Sequence, residues 1–170
     1  MLKRNHFLWT LGISPWIFHY LNLELELIFI LSFVTAFLSS LPDLDLKIVK
    51  YFKKLNYKSF FLTYPIYILV KLIFKHRTIT HSLFIPIFLL ALNNFIITNY
   101  YLSLFTYSLS FALILHVFED CMTIAGVKIF WPLRYNLRLA SFRTASNFHN
   151  SILHILGVII LLTFPFYYFL

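Results

Sequence analysis

The sequence predicts an all-α, polytopic transmembrane helical bundle with about four to six membrane helices and a short amphipathic interfacial helix. Three observations carry this expectation. Of the 170 residues, 61% are hydrophobic and 12% are charged, too little polar surface for a soluble domain of this length. Long apolar runs recur along the whole chain, and Lys and Arg flank them. Neither a composition break nor an internal repeat divides residues 1–170, so a single membrane-embedded domain is expected.

The apolar runs fall at 7–21, 24–41, 59–74, 82–98, 101–118 and 152–170. A crossing helix needs roughly 17–25 apolar residues. The runs 24–41, 82–98, 101–118 and 152–170 meet this requirement. The run 7–21 is short and contains Pro15 and His19. The run 59–74 is short and interrupted by Pro65 and Lys71, which suits an interfacial or re-entrant segment. Residues 47–58 intersperse five Lys with apolar residues at helical spacing, the pattern of an amphipathic helix on an anionic leaflet. The start Met1-Leu-Lys-Arg resembles a signal-peptide start, but no small-x-small site follows it, and it is expected to be retained.

The net charge of +8 reads as topology rather than as a nucleic-acid footprint. Lys3 and Arg4 set the N-terminus inside. Every later basic cluster also falls inside if 59–74 does not cross. A multi-pass protein of a bacterial-type inner (cytoplasmic) membrane is expected. Nucleic-acid binding through Lys128, Arg134, Arg138 and Arg143 is disfavoured, because topology explains the same residues. The scarcity of glycine, three in all, excludes a Gly-rich phosphate loop. The single cysteine, Cys121, excludes an internal disulfide and a Cys-based zinc motif.

In this topology the chemistry gathers at one membrane face. Asp43 and Asp45 follow the inner end of one helix, and His76 and His81 precede another. His116 and Asp120 lie one turn apart at the inner end of the next, and His6 begins the first. Imidazole nitrogens and carboxylate oxygens together suit Zn²⁺, with Mn²⁺ or Fe²⁺ as alternatives. The seven candidate ligands His6, Asp43, Asp45, His76, His81, His116 and Asp120 exceed one tetrahedral site, so one or two ions are expected. Arg77 is a candidate clamp for phosphate or another anion, and Glu119 a candidate general base. Each piece also has a plainer reading: Asp43 and Asp45 as a helix-end turn, His116 and Asp120 as a hydrogen-bonded pair. Cys121 reads as packing. His149 and His154 divide between a supporting role at the site and a solvated interfacial one. His19 falls on the outer side.

Three blocks together resemble a known family. They are Leu41-Pro-Asp-Leu-Asp45, His76-Arg-Thr-Ile-Thr-His-Ser82 and His116-Val-Phe-Glu-Asp-Cys-Met-Thr123, followed by Gly126-Val-Lys-Ile-Phe-Trp131-Pro132. In this order they are similar to the YdjM-like family, described as LexA-binding, inner-membrane-associated, metal-dependent hydrolases. His6 and Gly12 fit that family's N-terminal pattern. The chain departs from it at Ala145, where a Gly is common, at His149, where a Glu is common, and at Thr78, often a Gly. The resemblance implies a metal-dependent hydrolase, with a regulatory protein partner implied by the resemblance alone. The electrostatics of a basic, headgroup-level site suggest a lipid or phosphoester substrate among the membrane lipids. The alternatives are a structural or regulatory metal site in a non-enzymatic membrane protein, and a metal transporter.

Overall fold

The computed structural model describes residues 3–43, 79–133, 135–143 and 146–169. Among these, the chain forms five α-helices: α1 (Lys3–Tyr20), α2 (Leu25–Leu38), α3 (Phe84–Phe95), α4 (Tyr100–Cys121) and α5 (Asn147–Phe169). A 3-10 turn, Ile79–His81, precedes α3. No strand forms among the described residues, only two isolated bridges, Thr123 with Phe142 and Val127 with Leu137. The all-helical expectation is met. The expected amphipathic helix at 47–58 and the run 59–74 lie outside the described residues.

Helix boundaries follow local chemistry. The α1–α2 turn is closed by Asn22, whose φ of 56° is a left-handed conformation that Asn tolerates. Asn99 caps α4, its side-chain oxygen accepting from the Leu102 N–H at 3.0 Å. Pro86 falls in the first turn of α3, where a missing N–H costs nothing. Helices α4 and α5 each offer 22 residues long and apolar enough to cross a membrane, about 33 Å at 1.5 Å per residue. The helices α2 and α3 are apolar but shorter.

Polarity is arranged inside out. Phe29, Ile30, Phe33 and Phe37 of α2, and Ile155, Ile159, Leu162 and Phe166 of α5, are exposed. Asn5, His6, Thr10 and Ser14 of α1, and Ser108, His116, Glu119 and Asp120 of α4, are buried. A chain in water would reverse this; one in lipid turns apolar side chains outward and shelters the polar ones.

Helix α1 is the hub and packs against α5, α2 and α4, while α3 packs on α4. The α1–α5 crossing is close because glycine faces each helix. A Cβ on Gly12 would stand 2.8 Å from the Leu161 backbone nitrogen, and one on Gly157 2.9 Å from Trp9 Cδ1. That approach lets the Trp9 indole N–H donate to the Leu153 carbonyl at 2.7 Å. At the other end of the bundle Phe18, Ile28, Leu31, Leu104 and Phe164 form an apolar cluster.

Candidate metal centre

Four of the described elements or their flanks deliver His and Asp side chains to one end of the bundle. His6 stands in the first turn of α1. Asp43 follows α2, and His81 ends the 3-10 turn before α3. His116 and Asp120, at i and i+4, share one face of the last turns of α4.

The geometry is that of converging donors. His81 Nε2 lies 3.8 Å from Asp43 Oδ1 and 3.7 Å from Asp120 Oδ2. His116 Nε2 lies 3.9 Å from each of the same two oxygens. These separations exceed an ordinary N–H···O bond, at about 2.7–3.2 Å. They are close to the roughly 3.3 Å that separates neighbouring donors around a tetrahedral zinc at about 2.0–2.1 Å. On the far side of Asp120, Oδ1 stands 3.4 Å from His6 Nε2. His6, His116 and Asp120 form one group of possible ligands, and Asp43, His81 and His116 another.

Burial sharpens this. The three histidines are 0–1% exposed and Asp120 2%, whereas Asp43 is 15% exposed, so the cluster opens on the Asp43 side. Both ring nitrogens of His116 and Nε2 of His6 are buried without a hydrogen-bond partner. Buried imidazole nitrogens without partners are costly, and a cation in their midst would satisfy them. The donor set therefore fits a divalent ion of the zinc type. Burial by itself raises the Asp43 carboxyl, but the imidazoles of His81, His116 and His6 outweigh it and hold the group at about 2. Asp43 is thus an ionised ligand candidate throughout the physiological range.

A brace formed by residues 122–133 and 135–142 fixes this end of α4. Thr123 Oγ1 donates to the Asp120 carbonyl at 2.8 Å, and the Leu139 and Phe142 N–H groups reach the Cys121 and Met122 carbonyls. These bonds satisfy carbonyls that a helix end would otherwise leave open. The Leu83 N–H donates to the Ile129 carbonyl at 2.9 Å, tying the start of α3, beside His81, to the same brace.

Of the seven ligand candidates expected from the sequence, the structure brings five together: His6, Asp43, His81, His116 and Asp120. Asp45, His76 and Arg77 lie outside the described residues. Glu119 points toward α1: its Oε2 is 2.5 Å from His6 Nδ1, and its Oε1 accepts from Thr10 Oγ1 at 3.3 Å. Thr10 was not read from the sequence; its place one turn after His6, on the same helix face, was the available signal. His149 Nδ1 accepts from the Arg143 backbone N–H at 3.0 Å and so anchors the start of α5. His19 lies among Phe164, Tyr167 and Tyr168, near the opposite end of α1 from His6. Cys121 packs with Val117, Val127 and Ile129.

An inside-out helical bundle with a buried His/Asp cluster at one end defines an integral membrane protein with a candidate metal centre. The chain belongs to the YdjM inner membrane protein family, whose model matches residues 1–170. No curated protein and no solved structure matches it.

Proposed function

We propose that this chain is a membrane-bound, metal-dependent hydrolase acting on a lipid or phosphoester substrate at the cytoplasmic face. The observation that carries the reading is the approach of His81 Nε2 and His116 Nε2 to Asp43 Oδ1 and Asp120 Oδ2 at 3.7–3.9 Å. The resident ion is proposed to be Zn²⁺, with Mn²⁺ or Fe²⁺ as alternatives. When bound, such an ion lowers the pKa of a coordinated water toward neutrality and polarises a phosphoryl or carbonyl oxygen.

The chain's own residues supply the rest. Asp43, the most exposed member of the cluster, marks the side from which water and substrate enter. The shelter of His6, His81 and His116 strengthens their interaction with a cation by excluding bulk water. From the sequence, Arg77 is retained as the candidate anion clamp, and Asp45 and His76 as further ligand candidates. The flanking Lys and Arg support four to six crossings with the N-terminus and this site inside.

One observation favours a second reading. The possible ligands form two groups of three that share His116, and an ion whose shell protein donors fill is a structural site. Transport is disfavoured, because the titratable groups cluster at one end of the bundle rather than along a path through its middle.

The test is elemental analysis of the purified protein and of Asp43→Ala and His81→Ala, alongside hydrolysis of phospholipid and phosphodiester substrates. The wild type is expected to carry a divalent ion and to hydrolyse; both variants are expected to lose both properties while still inserting in the membrane. Full hydrolysis by either variant overturns the reading. Bound metal without hydrolysis, with no water in its shell by X-ray absorption, establishes the structural alternative.

A further inference from the structure

We infer that Glu119 is a positioning residue, which holds His6 in the tautomer and orientation that present Nε2 to the metal centre. The inference rests on the metal reading above and changes the role of Glu119 within it. From the sequence, Glu119 is the nearest spare carboxylate and a candidate base acting directly on water. Its surroundings point elsewhere.

Glu119 is fully buried, and both of its oxygens are committed to α1. Oε2 meets His6 Nδ1 at 2.5 Å, and Oε1 accepts from Thr10 Oγ1 at 3.3 Å. An ionised Glu119 only accepts, and in that state the contact places the proton on Nδ1 and leaves the lone pair of the neutral ring on Nε2. That nitrogen is buried without a hydrogen-bond partner, 3.4 Å from Asp120 Oδ1. The ring is held across its face as well, stacked on His116 with centroids 4.2 Å apart. Carboxylate, imidazole and metal position thus form a line in which the outer carboxylate orients the ligand and raises its basicity. Glu119 and Asp120 are chain neighbours, so one turn of helix supplies both a candidate ligand and the support for another. The helical rotation of about 100° between them turns one toward the cluster and the other toward α1.

The test is a double-mutant cycle on Co²⁺ binding, read from the visible ligand-field spectrum of purified protein in detergent. His6→Ala and Glu119→Ala are each expected to weaken binding by about 10–100-fold. The double variant is expected to bind no more weakly than His6→Ala alone, because Glu119 acts only through His6. Glu119→Gln, whose amide oxygen still accepts from Nδ1–H, is expected to recover binding to within about 3-fold of wild type with the wild-type spectrum. If Glu119→Ala does not fold, by thermal unfolding of the metal-free protein, Glu119→Met replaces it in the cycle. Fully additive losses, or a Glu119→Ala protein with wild-type affinity and spectrum, overturn the inference and leave the metal reading intact. A wild-type protein that takes up neither Co²⁺ nor Zn²⁺ overturns both.

Discussion

His6 and His116 stack face to face, with ring centroids 4.2 Å apart and planes 20° from parallel. One comes from the first helix and the other from the end of the fourth, so the contact exists only in the folded bundle. His81 meets His116 edge-on at 5.0 Å, which completes a three-imidazole cluster. His116 is common to both groups of possible ligands and has both nitrogens unpartnered. Its replacement by Ala is expected to reduce Zn²⁺ content below detection, whereas His19→Ala, among aromatics near the far end of α1, leaves it unchanged. Elemental analysis of the two variants side by side reads the difference.

The Asp43 carboxyl has a defined pH signature. Its value in the folded protein, about 2, lies below the ordinary 3.8 because neighbouring imidazoles favour the anion. A depressed acid contributes stability that is fully present above the ordinary value and is lost as pH falls through the folded one. In the metal-free protein, wild type is therefore expected to exceed Asp43→Asn by on the order of 2 kcal/mol at pH 5, with the gap closing between pH 4 and 2. Unfolding in detergent across that range measures it. A gap that stays constant down to pH 2 contradicts the assignment.

Helix positions were legible from the apolar runs, and the candidate ligands from which run ends carried His or Asp, but run length misjudged the helices: 24–41 and 82–98 form helices of only 14 and 12 residues. His116 and Asp120 could be paired because their separation is one turn of a single helix. Glu119 and His6 could not, since 113 residues separate them and no local pattern records the contact. The brace escaped for a related reason: its bonds join backbone groups, such as Leu139 N–H to the Cys121 carbonyl, and leave little mark on side-chain identity. Arg143-Thr-Ala-Ser-Asn-Phe-His149 raised the question of what His149 replaces; its bond to the Arg143 N–H gives it an anchoring role.

The α1–α5 crossing makes Gly157 intolerant of any side chain. A Cβ there would meet Trp9 Cδ1 at 2.9 Å and Leu8 Cβ at 3.2 Å. Gly157→Ala gains about 1 kcal/mol of helix propensity, but the overpacking costs about 1–3 kcal/mol. Displacing Trp9 also strains its 2.7 Å bond to the Leu153 carbonyl. A lower thermal midpoint in detergent is expected. Trp9→Phe, which removes the bond and some volume, is expected to lower the midpoint alone, yet to offset part of the cost of Gly157→Ala in the double variant.

The brace predicts a coupling between a loop glycine and the metal centre. Gly126 has φ of 60°, and a Cβ on it would stand 2.7 Å from the Leu137 carbonyl oxygen. Gly126→Ala therefore meets both a left-handed backbone penalty and a clash with main chain, together about 2–5 kcal/mol. The contact sits beside the paired bonds of Val127 and Leu137, and the same segment continues to Leu139, which holds the Cys121 carbonyl. Loosening it frees the last turn of α4, where Asp120 lies. The variant is expected to show faster proteolysis within residues 122–146 and about tenfold weaker Co²⁺ binding, although it touches none of the candidate ligands. Faster cleavage with unchanged Co²⁺ affinity would mean that α4 holds Asp120 in place without the brace.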